Sequence, residues 1–468
     1  MTSTTHVPST QKVRREIVGG KRAEGHRLQR QGRRVRRPDA GTLTIGQPDP
    51  RVTGVGGLVD FGAFVRQLGV DRELRRRFGH LKSHGNVVYP MHAQLRLLVD
   101  AHVAGASRVF GVEALAADPV FHYLAGGAVP SVDTIYDDLQ RFNFQACWDL
   151  EEVVGDHGLA ALDNPRKRAE VHIDIDTTVM PVFGEQEGAL PGPNPHYHGR
   201  PSFHPLIARL AETDTVIGAE FREGNTGFGA SDADFVVRNI DRVRRRVGPH
   251  ALIYVRIDGA ADCTAILGAI ADRGALFITK ARMTADLCGT IACIPATQWR
   301  TVELDAEDRP FKQVAEIDFH REEWRKAGRK FRVFAVRTRD KLTGKQIGLW
   351  KNEIDMTAQA FITNDVVRDA DDLAQRYDLR AGIEPLIGEL KGCGIGKVSS
   401  QHFYANSAGF LLKLLAFNLT QRWVANRSPK LLRWRSPWIR RALVHRPGRL
   451  LRSGGRRLLR LAPRPLLE

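Results

Sequence analysis

Val171-His172-Ile173-Asp174-Ile175-Asp176-Thr177-Thr178 is the stretch on which the reading of the fold turns. Apolar residues take every second place from Val171 to Ile175, the period of a strand with one buried face. The same alternation puts Asp174 and Asp176 on the face opposite Ile173 and Ile175, at the carboxyl end of the strand. A second apolar run, Ile253-Tyr254-Val255-Arg256-Ile257-Asp258, also ends on an acid. A carboxylate at the end of a buried strand is costly unless a metal, another cation or water receives it. Neighbouring strands that end on acids can together hold divalent cations through carboxylate oxygens. Taken one at a time, each acid reads equally as an ordinary strand end facing solvent or paired with arginine.

Working outward, strands are expected at Val171–Ile175, Leu206–Leu210, Val216–Phe221, Leu252–Ile257 and Ala275–Thr279, each short, apolar and bounded by polar turns. Ser231 to Val247 and Ala261 to Asp272 read as helices between them. An antiparallel start followed by β-α-β-α-β is the order of a mixed sheet flanked by helices, so the fold class is α/β. Trp299–Leu304, Val314–Phe319, Phe331–Arg337 and Ala360–Thr363 suggest an antiparallel, β-rich insertion. Upstream, Leu58, Phe61, Phe64, Val65 and Leu68 recur at helical spacing, as do Leu95, Leu97, Leu98 and Val103. Ser131 is expected to cap a helix over Val132 to Phe142, and a helix–turn–helix arrangement with the preceding Phe121–Leu124 would fit. Helices return from about Val366 to Arg427. The division that follows is a disordered basic arm (1–50), a helical domain (51–165), a core in two parts (166–296 and 361–426) around the insertion (297–360), and a basic tail (427–468).

Charge sets the partner class. The 468 residues carry a net +17, with 42% apolar and 26% charged residues, enough to bury a core over most of the length. Residues 1–40 hold 11 Lys and Arg against 3 acids, and residues 427–468 hold 13 against 1, which leaves −3 for the stretch between. Two basic ends on a nearly neutral body point to phosphate binding of a salt-sensitive, sequence-independent kind. Five cysteines without paired zinc-site spacing read as reduced cytoplasmic thiols. The longest apolar run, Gly409 to Leu419, is short of a membrane span and contains Lys413, and the basic start is not expected to be a secretory signal. No membrane role is expected.

Tyr377, Arg380, Glu384 and Lys391 follow one another at spacings of three, four and seven. At about 100° per residue an ideal helix places all four within a roughly 60° arc. A carboxylate flanked by two cations suits a metal ligand held beside phosphates, although Pro385 interrupts the helical hydrogen bonds and an amphipathic helix with a mixed charged face reads the same way.

Tyr377-x₂-Arg380-x₃-Glu384-x₆-Lys391 resembles the Y-R-E-K signature of the DDE transposases of bacterial insertion sequences. Ile173-Asp174-Ile175-Asp176-Thr177-Thr178, Gly184-Glu185-Gln186-Glu187-Gly188-Ala189, His204-Pro205-Leu206-Ile207 and Phe221-Arg222-Glu223-Gly224-Asn225-Thr226 are similar to one branch of that superfamily. So are Val129-Pro130-Ser131-Val132-Asp133-Thr134 and Phe361-Ile362-Thr363-Asn364, and the likeness runs from about Gly57 to Asn426. The branch is the insertion sequence 4 and insertion sequence 1380-like group, transposase DDE domain group 1. The resemblance implies a ribonuclease-H-like mixed sheet with flanking helices and a β-rich insertion, preceded by a helical domain that binds the ends of the element. It implies metal-dependent cleavage at those ends and transfer of the freed 3′-OH into target DNA. Its three acids, catalytic and metal-binding, are carried onto Asp176, Asp258 and Glu384, and its DNA-binding residues onto Tyr377, Arg380 and Lys391. Two Mg²⁺ ions, with Mn²⁺ able to substitute, are the implied cofactor.

The implied partners are double-stranded DNA, as terminal inverted repeats and as target, and a second copy of the chain in the synaptic complex, with the bacterial cytoplasm and nucleoid as the location. Asp176 is preferred to Asp174 because the family's acid directly precedes the threonine, and Glu384 to Glu389 by spacing. One departure stands out: after Asp258 the branch continues Ser-Gly-Phe, whereas this chain reads Gly259-Ala260-Ala261, which makes Asp262 a rival. That departure sustains an alternative, a ribonuclease-H-like DNA-binding protein or nuclease that does not transpose, inactive or domesticated. A DNA-binding regulator without chemistry is a further alternative. Trp299 and Trp324 are candidate platforms for a flipped base, with strand packing as the competing use, and His196, His198 and His204 lack the second ligand pair of a zinc site.

Overall fold

A computed structural model of the chain describes residues 26–27, 29–31, 43–193, 198–339 and 356–463. Most of the expected basic arm lies outside the described residues, as do the last five residues of the tail, His196, and residues 340–355 of the insertion.

A two-residue strand, β1 (Val52–Thr53), leads into seven helices: α1 (Leu58–Gln67), α2 (Val70–Phe78), α3 (Met91–Ala104), α4 (Gly111–Ala116), α5 (Pro119–Leu124), α6 (Val132–Leu139) and α7 (Phe144–Leu159). The three-and-four spacing does what it predicts, since Leu58, Phe61 and Val65 of α1 are fully buried. Ser131 caps α6 by accepting the Thr134 amide at 3.2 Å, and α6 stops at Leu139, three residues before the expected end. Asp118 caps α5 through the amides of Val120 (2.9 Å) and Phe121 (3.2 Å). The same carboxylate accepts Thr53 Oγ1 (2.7 Å) and the Gly54 amide (2.8 Å), so one cap also anchors β1.

Nine strands make one sheet: β2 (Glu170–Thr177), β3 (Leu206–Leu210), β4 (Thr215–Glu220), β5 (Leu252–Ile257), β6 (Leu276–Lys280), β7 (Arg300–Leu304), β8 (Pro310–Ile317), β9 (Arg332–Arg339) and β10 (Met356–Thr363). Their order is β4-β3-β2-β5-β6-β10-β9-β8-β7. The pairs β2–β5 and β5–β6 are parallel and the others antiparallel. The first five strands, an antiparallel meander extended by two parallel crossovers, form the ribonuclease-H-like sheet. The β-rich insertion is not a separate layer. β10 straddles the expected boundary at residue 360 and pairs with β6 through Phe361–Lys280, Ile362–Thr279 and Thr363–Ile278. It thereby covers an edge that would otherwise present unpaired backbone groups.

Two helices, α8 (Ala233–Val247) and α9 (Thr264–Asp272), cover one face, where Ile240, Val243, Ile266 and Ile270 pack on Val171, Ile173, Ile175, Ile253 and Val255. After α10 (Ala285–Ala292), the other face receives α11 (Ala370–Asp378), α12 (Ile383–Gly392) and α13 (Phe403–Arg427). A single ideal helix through residues 377–391 does not form, because Leu379–Gly382 is a 3-10 turn. Pro385 has no amide for the Ala381 carbonyl. At Gly382 the chain passes so close to Arg209 that an added Cβ would lie 2.7 Å from the guanidinium.

The segment read as a basic tail is folded through Leu461. A short helix at Ser436–Ile439 and the turn Arg440–Val444 bring Ile439, Leu443 and Val444 into the same core as α1 to α7 and α13. β11 (Gly448–Ser453) and β12 (Arg456–Leu461) then form a hairpin, and β11 pairs with β1. The amides of Gly56 and Gly57 donate to the carbonyls of Arg446 (3.0 Å) and Val444 (3.1 Å), and a Cβ on Gly57 would meet the Leu443 carbonyl oxygen at 1.8 Å. Removing the cap that anchors β1 should therefore loosen both ends of this clasp. Asp118→Ala is expected to lower unfolding free energy by about 1–2 kcal/mol, read as a drop in thermal midpoint without loss of helical circular dichroism at 20 °C.

Candidate active site

Two acids two residues apart on β2 have different surroundings. Asp174 is fully buried and lies opposite Arg209 of β3 and Arg256 of β5 in the strand registers. Its carboxylate accepts Arg209 Nη1 at 2.6 Å, Arg256 Nε at 2.6 Å and Arg256 Nη2 at 3.0 Å. Burial pushes the Asp174 carboxyl above the usual range, opposed chiefly by Arg256. The two guanidiniums reach further. Arg256 Nη1 donates to the Arg376 carbonyl at the end of α11 (2.7 Å), and Arg209 Nε to Asp214 (2.8 Å) beside the close approach to Gly382. The buried trio thus holds the 3-10 turn against the sheet.

Asp176, one pleat further along, is half-buried at the strand's end, and Asp258 stands just past the last β2–β5 rung, Ile175–Ile257, so adjacent strands end on adjacent acids. Asp176 accepts the Thr177 amide (2.8 Å) and pairs with Arg380 Nη2 (2.8 Å). Burial is the main cause that pushes its carboxyl up to about 6; Arg380 opposes, while Asp258 and Glu384 add to the rise. Asp258 caps the turn Gly259–Ala261 by accepting the Ala260 amide (3.0 Å). Its rival Asp262 is buried in a fork from Arg321 at 2.6 and 2.8 Å. Glu389 is likewise occupied, accepting the amide (2.7 Å) and Oγ (2.6 Å) of Ser436.

Arg380, in the 3-10 turn, lies between Asp176 and Glu384, whose Oε1 is 3.9 Å from its Nη1. The Glu384 side chain itself points outward and is 68% exposed. Among the described residues no three His, Cys, Asp or Glu side chains gather at one metal position. Instead the guanidinium is the cation among the acids. Tyr377 lies on the buried stripe of α11, with Ala370, Leu373 and Ala374, and does not share an exposed face with Glu384 and Lys391. Its ring is buried edge-on against Phe361 (4.7 Å between centroids), with Lys280 Nζ 5.9 Å away. The phenol hydroxyl and Arg380 Nε are both buried without a hydrogen-bond partner. Burial raises the Tyr377 hydroxyl well above its usual range, so it keeps its proton as a donor. Lys391, near the far end of α12, is exposed, with partial burial lowering its ammonium and no carboxylate partner among the described residues.

An all-carboxylate donor set, mutual repulsion between Asp176 and its neighbours, and two orphaned donors beside them fit hard divalent cations and phosphate oxygens. The sequence reading missed the brace beneath this site. The available signal was Arg209 and Arg256, each the penultimate residue of an otherwise apolar strand, where a buried guanidinium must find a partner. Trp299 and Trp324 are not open platforms: both are buried, with Arg337 4.2 Å over the first ring and Arg321 5.0 Å over the second. His204 is buried, with Nδ1 2.7 Å from the Thr226 carbonyl.

The two β2 acids should respond oppositely to substitution. Asp174→Ala strands two buried guanidiniums and is expected to cost about 3–5 kcal/mol. Asp176 holds its proton to about pH 6 when folded but only to the ordinary aspartate range when unfolded. Between those values the folded chain binds the extra proton, so its stability falls as pH rises through that window. Asp176→Asn should match wild type at pH 4 and exceed it by about 1–3 kcal/mol at pH 7.5 in metal-free buffer, by thermal or urea melts.

The model of the family "transposase DDE domain group 1" matches residues 46–465. Comparison with curated proteins gave no match. Among solved structures, the chain is similar to a piggyBac transposase synaptic complex with hairpin DNA, at 10% identity over 82% of this chain and 78% of that one, with a TM-score of 0.44. It is also similar to a Drosophila P element transposase strand transfer complex, at 16% identity over 47% and 43%, with a TM-score of 0.23. The family match spans the helical region, the whole sheet and the whole C-terminal hairpin, and the chain belongs to the transposase DDE domain group 1 family, enzymes of the polynucleotidyl transferase and endonuclease type.

Proposed function

We propose that this transposase serves a bacterial insertion sequence of the insertion sequence 4 and insertion sequence 1380-like group. On this reading it cuts the element's ends and joins the freed 3′-OH to target DNA, with Asp176, Asp258 and Glu384 as its catalytic acids. The observation that carries the reading is the meeting of Asp176 and Asp258 at adjacent strand ends, with Arg380 seated between Asp176 and Glu384. Enzymes of this family use divalent metal ions. Here two Mg²⁺ ions, or Mn²⁺ in their place, would be held by the three carboxylates and would activate water and stabilise the leaving 3′ oxygen.

The chain's own residues do the rest. Asp176 and Asp258 are fixed by backbone amides, so neither needs to reorganise to receive a cation. Glu384 sits in the first turn of α12 with its side chain in solvent, free to swing inward by rotamer change. Arg380, paired with Asp176 here, would pair with a DNA phosphate when Asp176 holds a cation, exchanging one anion for another at little electrostatic cost. The Tyr377 hydroxyl is buried and unpartnered, and it would donate to a phosphate oxygen once the adjoining turn at Leu379–Gly382 opens to admit the strand. Lys391 binds the backbone farther along the strand. The helical region, residues 51–165, is assigned to the element ends. Two copies hold the paired ends in the cytoplasm, on the nucleoid; no described helix is long and apolar enough to cross a membrane.

The test is Mg²⁺-dependent cleavage of duplexes from the DNA flanking the gene. Wild type should cut at a repeated end sequence. Asp176→Ala should lose at least about a hundredfold in rate, more than loss of an outer-shell partner costs, while duplex binding stays within a few-fold. Equal cutting by both proteins would sink the assignment, as would a wild type that binds the ends and never cuts.

A further inference from the structure

The hairpin β11–β12 reads Gly448-Arg-Leu-Leu-Arg-Ser-Gly-Gly-Arg-Arg-Leu-Leu-Arg-Leu461. Gly454 and Gly455, at φ 56° and 76°, supply the two left-handed residues that a tight hairpin turn requires. The register sets Arg449 opposite Arg460 and Arg452 opposite Arg457. Like charges directly opposite on a ladder destabilise the pair, and here it happens twice in a ribbon of twelve paired residues. Neutralisation from within the protein is incomplete. Asp49 pairs with Arg449 at 2.5 Å, and Arg457 lies 4.8 Å over the ring of Tyr123 on α5. Arg452, Arg456 and Arg460 are exposed and have no carboxylate partner among the described residues.

The ribbon is nonetheless held firmly. β1 pairs along β11, and Leu461 lies against the Gly56 backbone, where a Cβ would come within 2.5 Å of Cδ2. Alternation puts Arg452 and Arg457 on one face and Arg449, Arg456 and Arg460 on the other, with a leucine pair on each, Leu450–Leu459 and Leu451–Leu458. A membrane-surface element would segregate leucines from arginines, and this ribbon does not. Cations on both faces instead suit insertion between two rows of phosphates, and a two-stranded ribbon is of a size that the major groove of duplex DNA admits.

We propose that the hairpin β11–β12 is a wing that enters a groove of duplex DNA, with Arg452, Arg456, Arg457 and Arg460 neutralising phosphates on both sides. The inference rests on the reading of the chain as a DNA transposase and adds a contact surface outside the catalytic acids. It explains what two opposed arginine pairs are for: their mutual repulsion is relieved when DNA binds.

The test uses the full-length protein and fluorescence anisotropy on a random-sequence duplex over a range of NaCl concentrations. Each lost phosphate contact reduces the slope of log affinity against log salt by about 0.9. Changing the four arginines to glutamine should lower that slope by about 2–4 and weaken binding at least tenfold near 0.15 M salt, whereas four Arg→Lys changes should keep the slope. If the glutamine protein melts earlier than wild type, R456Q/R460Q alone, which leaves the Tyr123 contact intact, should still reduce the slope by about 1–2. An unchanged slope overturns the wing while leaving the transposase reading standing. A wild type that binds phosphatidylserine vesicles but no duplex overturns both, and equal loss in the glutamine and lysine variants shows a structural role only.

Discussion

The pairing of Asp174 with Arg209 and Arg256 is the constraint on which this architecture turns. Three charges are buried in the middle of the sheet, where desolvation makes them tolerable only as a closed set. Each guanidinium then uses a remaining face to hold something outside the sheet. Arg256 takes the carbonyl of Arg376, and Arg209 lies against Gly382, which has no side chain to obstruct it. The turn between α11 and α12 is thereby fixed over the ends of β2 and β5, and Arg380 and Glu384 come with it. A buried ion trio adds little net stability compared with a packed apolar core. What it supplies here is placement, since apolar side chains could fill the space but would not hold the Arg376 carbonyl.

That arrangement explains why two neighbouring aspartates have separate fates. Asp174 is saturated by arginine and shut away from solvent; Asp176 is half-buried, carries one arginine and lies beside two more acids. Gathered acids of this kind raise the Asp176 carboxyl, and an added cation would relieve them. The C-terminal hairpin shows the same logic with the sign reversed, arginines opposed on a ladder without enough acids. In both places charge is held against its own repulsion by rigid elements, so that binding the oppositely charged partner is favoured.

Much of this was legible in the sequence, for stated reasons. Strict alternation from Val171 and the apolar runs ending at Asp258 gave the central strands and their acids, because buried strands leave a period of two. The spacing through Tyr377, Arg380 and Glu384 found residues that do lie together, but not their attitudes. Tyr377 belongs to the buried stripe of α11 with Ala370, Leu373 and Ala374, against Phe361, and the break at Leu379–Gly382 separates it from the exposed Glu384. The insertion hid its continuity with the main sheet because edge pairing between β6 and β10 leaves no local pattern. The hairpin at the C-terminus was legible in principle: Gly454-Gly455 between two Leu-Leu runs is a turn between strands. Arginine content concealed it, since a dense basic run reads first as a solvated tail.

Read as one cation site, Asp176, Asp258 and Glu384 are held in this structure by Arg380 in place of a metal. A crystal structure of the full chain soaked in Mn²⁺, with anomalous difference maps, tests that reading most directly. The expected result is anomalous density between Asp176 and Asp258, with Glu384 rotated inward and Arg380 released from Asp176. Saturating Mn²⁺ with no density there, and Arg380 still paired to Asp176, would contradict it.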